Sequence, residues 1–202
     1  MTGRKIPIIP TVFVVAAAAT MVALGFWQLG RKDEKEALIA RYQGAADLPL
    51  LDPIPIASEP DAFLYRRAAL DCREVTGWNA IAGRNANGAS GYVQIASCQI
   101  GESQRAQSDQ PMAEVVAGWS RDLQLPDWDG GPVTGIIARG GENGWRLVAD
   151  SPLADELQAN ATPDPRELPN NHLAYAGQWF FFALTALGIY WLALRRRWRN
   201  RG

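Results

Sequence analysis

The sequence predicts a membrane α+β protein, in which two transmembrane helices flank a small antiparallel β-sheet or barrel domain outside the cytoplasm. Three observations predict this class: uncharged apolar segments at 8–29 and 173–194, short apolar runs between turn residues in the middle, and the position of all 21 acidic residues between the two segments. The length of 202 residues suits one modest domain with additions, and excludes a large multidomain enzyme.

Each uncharged segment is long enough to cross a bilayer. A helix needs about 20 apolar residues to span a hydrocarbon core of ~30 Å. We expect a helix because lipid offers no hydrogen-bond partner to the backbone amides, so the segment has to pair them internally. The first segment has an alternative as a cleavable signal peptide, although its apolar run exceeds the ~7–15 residues of such signals. The second has an alternative as a buried core helix, which the arginines at 195–197 disfavour.

Basic residues at both ends of the chain set the expected orientation. Arg4 and Lys5 precede the first segment, and the second is followed by Arg195, Arg196, Arg197, Arg199 and Arg201. Because loops rich in Lys and Arg stay in the cytoplasm, residues 1–7 and 195–202 are expected to be cytoplasmic. Residues 30–172 are then expected outside the cytoplasm, in a periplasm-like or intermembrane compartment. The location that we expect is a bacterial inner membrane, with this domain in the periplasm. No basic patch lies on a foldable segment, which argues against a nucleic-acid partner.

The middle of the chain divides into a helix, a connector and a set of strands. Residues 31–43 lack Pro and Gly before Gly44 and predict a helical extension of the first span, and residues 44–62 are a Pro-rich connector. Short runs between turn residues predict six strands: 65–76, 78–81, 92–100, 114–120, 133–138 and 146–149. Residues 151–158 predict a short capped helix.

The two cysteines leave alternatives open. Cys72 and Cys98 lie in predicted strands, in a compartment that permits disulfides, so that a cross-strand disulfide is one interpretation and two buried free thiols are the other. A metal pair is disfavoured, because neither cysteine belongs to a close-spaced motif and no histidine is near it in the sequence.

Few residues support hydrolytic chemistry. His172 is the only histidine, so any catalytic triad has to use a residue at the membrane surface. The sequence also lacks a Gly-rich phosphate loop and a Cys or His cluster with zinc spacing. We therefore expect no enzyme.

Candidate binding residues concentrate where the two spans emerge outside. On the first helix, i, i+3, i+7 spacing puts an amide and two cations on one face: Gln28, Arg31 and Lys35. On the second, the same spacing puts an imidazole, a phenol and an indole on one face: His172, Tyr175 and Trp179. If the helices pack side by side, these faces meet. Imidazole is an axial ligand of haem iron, aromatic rings can flank the macrocycle, and cations can pair with haem propionates.

The presence of these residues can also be explained without a cofactor. Aromatic residues such as Trp27 and Trp179 are expected in an interfacial belt whatever the function. Arg31 and Lys35 can extend to lipid headgroups. His172 can help to cap the second helix with its neighbours, or lie at the interface without a ligand.

Two motifs mark the outer ends of the spans. The first is Gly-Phe-Trp-Gln-Leu-Gly-Arg at 25–31, with Lys35 one turn further on, and the second is Pro-Asn-Asn-His-Leu-Ala-Tyr-Ala-Gly-Gln-Trp-Phe at 169–180. They resemble the two signatures of the Surfeit locus protein 1 family, and the layout of the whole chain resembles that family too. The middle departs from the pattern, because 116–119 is Val-Ala-Gly-Trp where the family often has Asn-Arg-Gly-Trp.

The resemblance implies a role in the assembly of haem-copper cytochrome c oxidase. It implies that the protein acts as a chaperone that binds haem a and assists its insertion into the catalytic subunit, with His172 as the ligand of the haem iron. The implied partners are that subunit, haem a synthase or other assembly factors, and membrane lipid. The motif positions carried over as candidates are Trp27, Gln28, Arg31, Asn170, Asn171, Tyr175 and Trp179. The alternative is a haem-independent membrane scaffold that binds oxidase subunits or other assembly factors.

Overall fold

A computed structural model describes residues 6–55, 59–100 and 112–200 of the chain. Arg4, Lys5 and Arg201, which contribute to the expected cytoplasmic charge, lie outside the described residues. The chain forms two compact units. The helical unit consists of Met1–Leu38 and Pro169–Gly202, and the sheet unit consists of Ile39–Leu168.

Two long helices make up most of the helical unit. Helix α1 is Ile8–Gln43 and helix α2 is His172–Arg199. Both are long and apolar enough to cross a membrane, and only 11% of the most apolar window of each is buried. A core helix of a soluble domain is mostly buried, so this exposure is consistent with a membrane protein.

The two helices pack against each other in antiparallel directions. Thr11, near the start of α1, shares a hydrogen bond with Tyr190 of α2. Nearer the other end, the rings of Phe26 and Phe180 meet edge to face at 5.4 Å. Gly25 permits the close approach, because a Cβ at this position would lie 2.5 Å from the Phe180 ring. A small residue at a helix crossing is typical of packing in membranes.

Five strands form the sheet: β1 Arg67–Arg84, β2 Ser90–Ile100, β3 Met112–Ser120, β4 Gly131–Arg139 and β5 Trp145–Ala149. They pair in the order β1-β2-β3-β5-β4, and β4 pairs with β1, so that the pairing order is closed. Every pair is antiparallel except β3 and β5, which are parallel through the pairs Val115–Leu147 and Val116–Val148.

The prediction of an all-antiparallel sheet is therefore wrong at this one pair, and the sheet is mixed. The reason is topological. Strand direction reverses at each antiparallel pair, and an odd number of strands in a closed order cannot reverse at every pair. At least one parallel pair follows, and in this chain it is the short contact between β3 and β5.

The predicted strands 65–76 and 78–81 are one strand, β1. Gly77 looked like a boundary but lies within the strand, where register shifts between Cys72 and Glu74 and between Val75 and Gly77 accommodate the irregularity. Such bulges bend and twist a strand without ending it. The bends let β1 pair with β4 at its beginning and with β2 along the rest.

The helix predicted at 151–158 is absent, and the segment is bound to β3 instead. Leu153 donates its N–H to the Ala117 carbonyl at 2.9 Å, and Trp119 and Gln158 exchange two backbone hydrogen bonds of 2.8 Å. Backbone groups that bond to a neighbouring strand are not available for a helix, so the tertiary contact overrides the capping signals.

Gly118 explains why this contact can form. A Cβ at Gly118 would lie 2.6 Å from Cβ of Leu157, so a larger residue would separate the segment from β3. Trp119 next to it is 2% exposed and belongs to the core, as does Trp145. The Gly-Trp pair at 118–119 thus has a packing role in the sheet unit.

Short contacts hold the described parts of the Pro-rich connector and the segment before α2, and residues 56–58 of the connector lie outside the described residues. Leu51 accepts the N–H of Ala69 at 2.9 Å and donates to Arg67 at 3.0 Å, which ties the stretch to β1. Short 3₁₀ turns form at Pro60–Ala62 and Pro165–Glu167.

Cys72 of β1 and Cys98 of β2 form a disulfide, with Cα atoms 5.2 Å apart. Both cysteines are fully buried. Of the alternatives that the sequence leaves open, the structure has the cross-strand bridge.

We expect the disulfide to contribute measurably to the stability of the sheet unit. Replacing both cysteines, Cys72→Ala with Cys98→Ala, should lower the free energy of unfolding by about 2–4 kcal/mol, because the bridge no longer restricts the unfolded chain. The measurement is urea denaturation of the full chain in detergent, followed by tryptophan fluorescence, to which the buried Trp119 and Trp145 of the sheet unit contribute. As a control, dithiothreitol should destabilise the unaltered protein equally and leave the double variant unchanged. Equal denaturation midpoints for both proteins would contradict the assignment.

Candidate functional site

His172 is the first residue of α2 and bonds across to α1. Its Nδ1 lies 2.7 Å from Oε1 of Gln28. A carboxamide oxygen can only accept, so Nδ1 carries the hydrogen and donates it. In the neutral imidazole, the lone pair is then on Nε2. A ring held by its other nitrogen in this way is the usual arrangement of a metal-binding histidine.

A groove of about 260 Å³ lies beside this hydrogen bond. It is lined by Arg31, Glu34, Lys35, Leu38, Pro169 and His172. The lining combines an imidazole, two cations, one carboxylate and two apolar side chains. All six residues belong to the helical unit.

The charges along this part of α1 are largely paired with each other. Arg31 forms an ion pair with Glu34, one turn further on, and both side chains are exposed. Lys32 bonds to Glu36 at 2.8 Å, and that hydrogen bond and charge raise the pKa of Lys32. Within the described ranges Lys35 forms no ion pair. The groove therefore presents one cation already engaged by a carboxylate and one that is not.

The sequence-predicted residues divide into two groups. The structure brings four of them together at the groove: Gln28, Arg31, Lys35 and His172. The aromatic candidates do not line it. Trp27 is 57% exposed and Tyr175 is 51% exposed. Trp179 is half-buried and packs edge to face on Phe182 at 6.3 Å.

Helix packing explains why Tyr175 points away from the groove. Ala176 follows His172 by four residues, which places it on the same side of α2, and it is buried at 1% exposed. Closely packed helices select small side chains at the crossing, so alanine takes the inner position and the larger phenol lies outside.

The two asparagines before His172 have different surroundings. Asn171 is the N-cap residue of α2, but its side chain makes no capping hydrogen bond. Its carbonyl accepts the N–H of Tyr175 at 3.2 Å. The Oδ1 of Asn170 is buried and has no hydrogen-bond partner. A buried acceptor of this kind normally has a donor, supplied by water or a ligand where protein offers none.

Glu34, Leu38 and Pro169 line the groove and were missed as site residues. Its spacing could have identified Glu34, because it follows Arg31 by three residues and both therefore lie on one face of the helix. Leu38 follows Lys35 by the same spacing, and Pro169 begins the second motif. In the part of the chain that the structure describes, no group of three or more His, Cys, Asp or Glu residues could hold a metal ion.

The model of one protein family, the SURF1 family, matches residues 15–184. The chain belongs to the SURF1 family. The match includes Gln28, His172 and the whole sheet unit, so the resemblance found in the two motifs is confirmed. SURF1 proteins are associated with the assembly of cytochrome c oxidase, and the family is one of assembly factors rather than of catalysts. A comparison with curated proteins finds no match.

The hydrogen bond predicts the tautomer of His172. Because the chain has a single histidine, its ring ¹⁵N resonances can be read directly in the full-length protein in detergent. At a pH where the ring is neutral, we expect the proton on Nδ1. Gln28→Leu removes the acceptor and should shift the population towards the other tautomer. Gln178→Leu, at an exposed position of α2, is the matched control and should leave the spectrum unchanged.

A second pair of variants tests the helix contact that supports the bond. Gly25→Ala should displace Phe180 and reduce the Nδ1–H population. Gly30→Ala should not, because among the described residues no atom beyond the adjoining residues and backbone of α1 lies within 4 Å of the Cβ it adds. A ring that is protonated at Nε2 in the unaltered protein would contradict the geometry.

Proposed function

We propose that this protein binds haem a at the outer face of the membrane and assists its insertion into the catalytic subunit of a haem-copper cytochrome c oxidase. The observation that carries the proposal is the hydrogen bond between His172 and Gln28. This bond engages Nδ1 of the imidazole and leaves Nε2 available as a ligand. The association of SURF1 proteins with oxidase assembly supplies the biological setting.

The residues at the groove fit the chemistry of a haem. The imidazole of His172 would coordinate the iron through Nε2, and Gln28 would fix the ring orientation and raise its basicity. Lys35, which is half-buried, would bind a propionate, and Arg31 is the second cation within reach of the groove. When bound, haem a supplies an iron for the imidazole and two carboxylates for the cations.

The groove is smaller than a site that encloses its ligand. Sites that enclose a small molecule usually measure about 300–1,000 Å³, and this groove measures about 260 Å³. A site that covers only part of its ligand leaves the rest accessible to a receiving protein. Trp27, Tyr175, Trp179, Asn170 and Asn171 stay candidates for contacts with the exposed part.

The same proposal includes a location. We place both termini in the cytoplasm of a bacterium and residues 30–172 on the periplasmic side of its inner membrane. The arginines at the end of α2 support this orientation, because such clusters stay on the cytoplasmic side. The buried Cys72–Cys98 bridge supports it too, since disulfides persist in oxidising compartments.

An optical spectrum with a pyridine haemochrome assay tests the ligand. Protein purified in detergent from cells that make haem a should carry it, and His172→Ala should abolish the spectrum while the protein is still expressed. Added imidazole should restore binding to this variant if the missing group is an iron ligand. Gln28→Leu should weaken haem affinity by about 10–100-fold, and Gln178→Leu should not. An unchanged spectrum in His172→Ala would disprove the ligand assignment.

The alternative function is a scaffold that binds oxidase subunits or other assembly factors without haem. Exposed leucines favour it, because Leu123 and Leu125 are 59% and 70% exposed between β3 and β4. Co-purification separates the two functions. Capture of oxidase subunits that survives His172→Ala, by a protein that is folded but free of haem despite available haem a, would favour the scaffold.

Thiol trapping in intact cells tests the location. After the cells are quenched with acid and the protein is denatured in an alkylating reagent, Cys72 and Cys98 should be protected from alkylation as the disulfide in a strain with an oxidising periplasm. In a strain that lacks periplasmic disulfide formation, both should be alkylated. A control variant with Cys72→Ala should expose the thiol of Cys98 in both strains after denaturation. Reduced cysteines in the first strain would contradict a periplasmic sheet unit.

A further inference from the structure

We infer that Glu34 is a release residue: its carboxylate competes with a haem propionate for Arg31, and so shortens the lifetime of haem on the protein. The inference rests on the proposed function. It concerns a residue that neither motif contains and that sequence analysis did not select.

The geometry puts competitor and target in one place. Glu34, Arg31, Lys35 and His172 all line the same groove, and the Arg31 guanidinium is bound by Glu34. A propionate and the Glu34 side chain are chemically equivalent as carboxylates. Only one of them can take the same face of the guanidinium with full hydrogen-bond geometry. An entering propionate therefore displaces Glu34 or stays next to an uncompensated negative charge.

The exposure of the pair limits the strength of this competition. The Arg31 and Glu34 side chains are 51% and 65% exposed, so water screens their attraction. An exposed pair is weak, and a propionate can displace it. Glu34 then returns when the propionate leaves. Competition of this strength changes haem affinity by about two- to five-fold, which is enough to tune release without preventing loading.

The chain offers a matched control on the same helix. Glu36 is also a carboxylate paired with a cation, at 2.8 Å from Lys32, and its side chain is 53% exposed. Neither Glu36 nor Lys32 lines the groove. Glu34→Gln and Glu36→Gln therefore remove the same charge from one turn of α1, and differ in whether that charge is at the groove.

The experiment measures haem release from full-length protein in detergent. Each variant is loaded with haem a and mixed with excess apomyoglobin, and the transfer is followed by absorbance. Glu34→Gln should release haem a about two- to five-fold more slowly than the unaltered protein, and Glu36→Gln should release it at the unaltered rate. Haem a whose propionates are esterified has no carboxylate to compete, so the difference between the two variants should vanish.

A double variant tests whether the effect passes through Arg31. In an Arg31→Gln background, Glu34→Gln should change the release rate little, because the group under competition is gone. Equal rates for Glu34→Gln and Glu36→Gln, or a Glu34 effect that persists with esterified haem a, would overturn the inference and leave haem binding intact. Failure of the unaltered protein to take up haem a would overturn the proposed function itself, and the inference with it.

Discussion

A single hydrogen bond between Gln28 and His172 joins the helices where α2 begins, and the chemistry of the site depends on it. The bond specifies which nitrogen carries the proton, and therefore which nitrogen can act as a ligand. The helices approach closely nearby, where Gly25 lies beside the Phe180 ring. The absence of a side chain at Gly25 of α1 thus supports the orientation of the His172 ring on α2.

The same site shows why pairing among charges matters as much as their number. Two cations at a groove predict an attractive site for carboxylates, but Arg31 is already engaged by Glu34. The net field of the groove is weaker than the cations alone indicate. Under the proposed function, such compensation would assist delivery of haem, because binding that is too favourable slows release.

The sheet unit follows from a different constraint. A closed order of five strands requires a parallel pair, and that pair is short. The disulfide between β1 and β2 and the backbone bonds between 151–158 and β3 stabilise the unit elsewhere. Residue patterns indicated where most strands lie, since alternation is a local property. The order of the strands and the continuity of β1 through Gly77 depend on partners that are distant in sequence, and no local pattern contains them.

By itself, the sequence determined the two apolar helices, the approximate strand positions and the candidates Gln28, Arg31, Lys35 and His172, because hydropathy and helical spacing are encoded over short stretches. Tertiary structure decided the rest. It selected the disulfide over free thiols, placed Ala176 rather than Tyr175 at the buried face of α2, and brought Glu34 to the groove. These outcomes depend on which surfaces meet and how closely, and packing sets those distances only when the whole unit has formed.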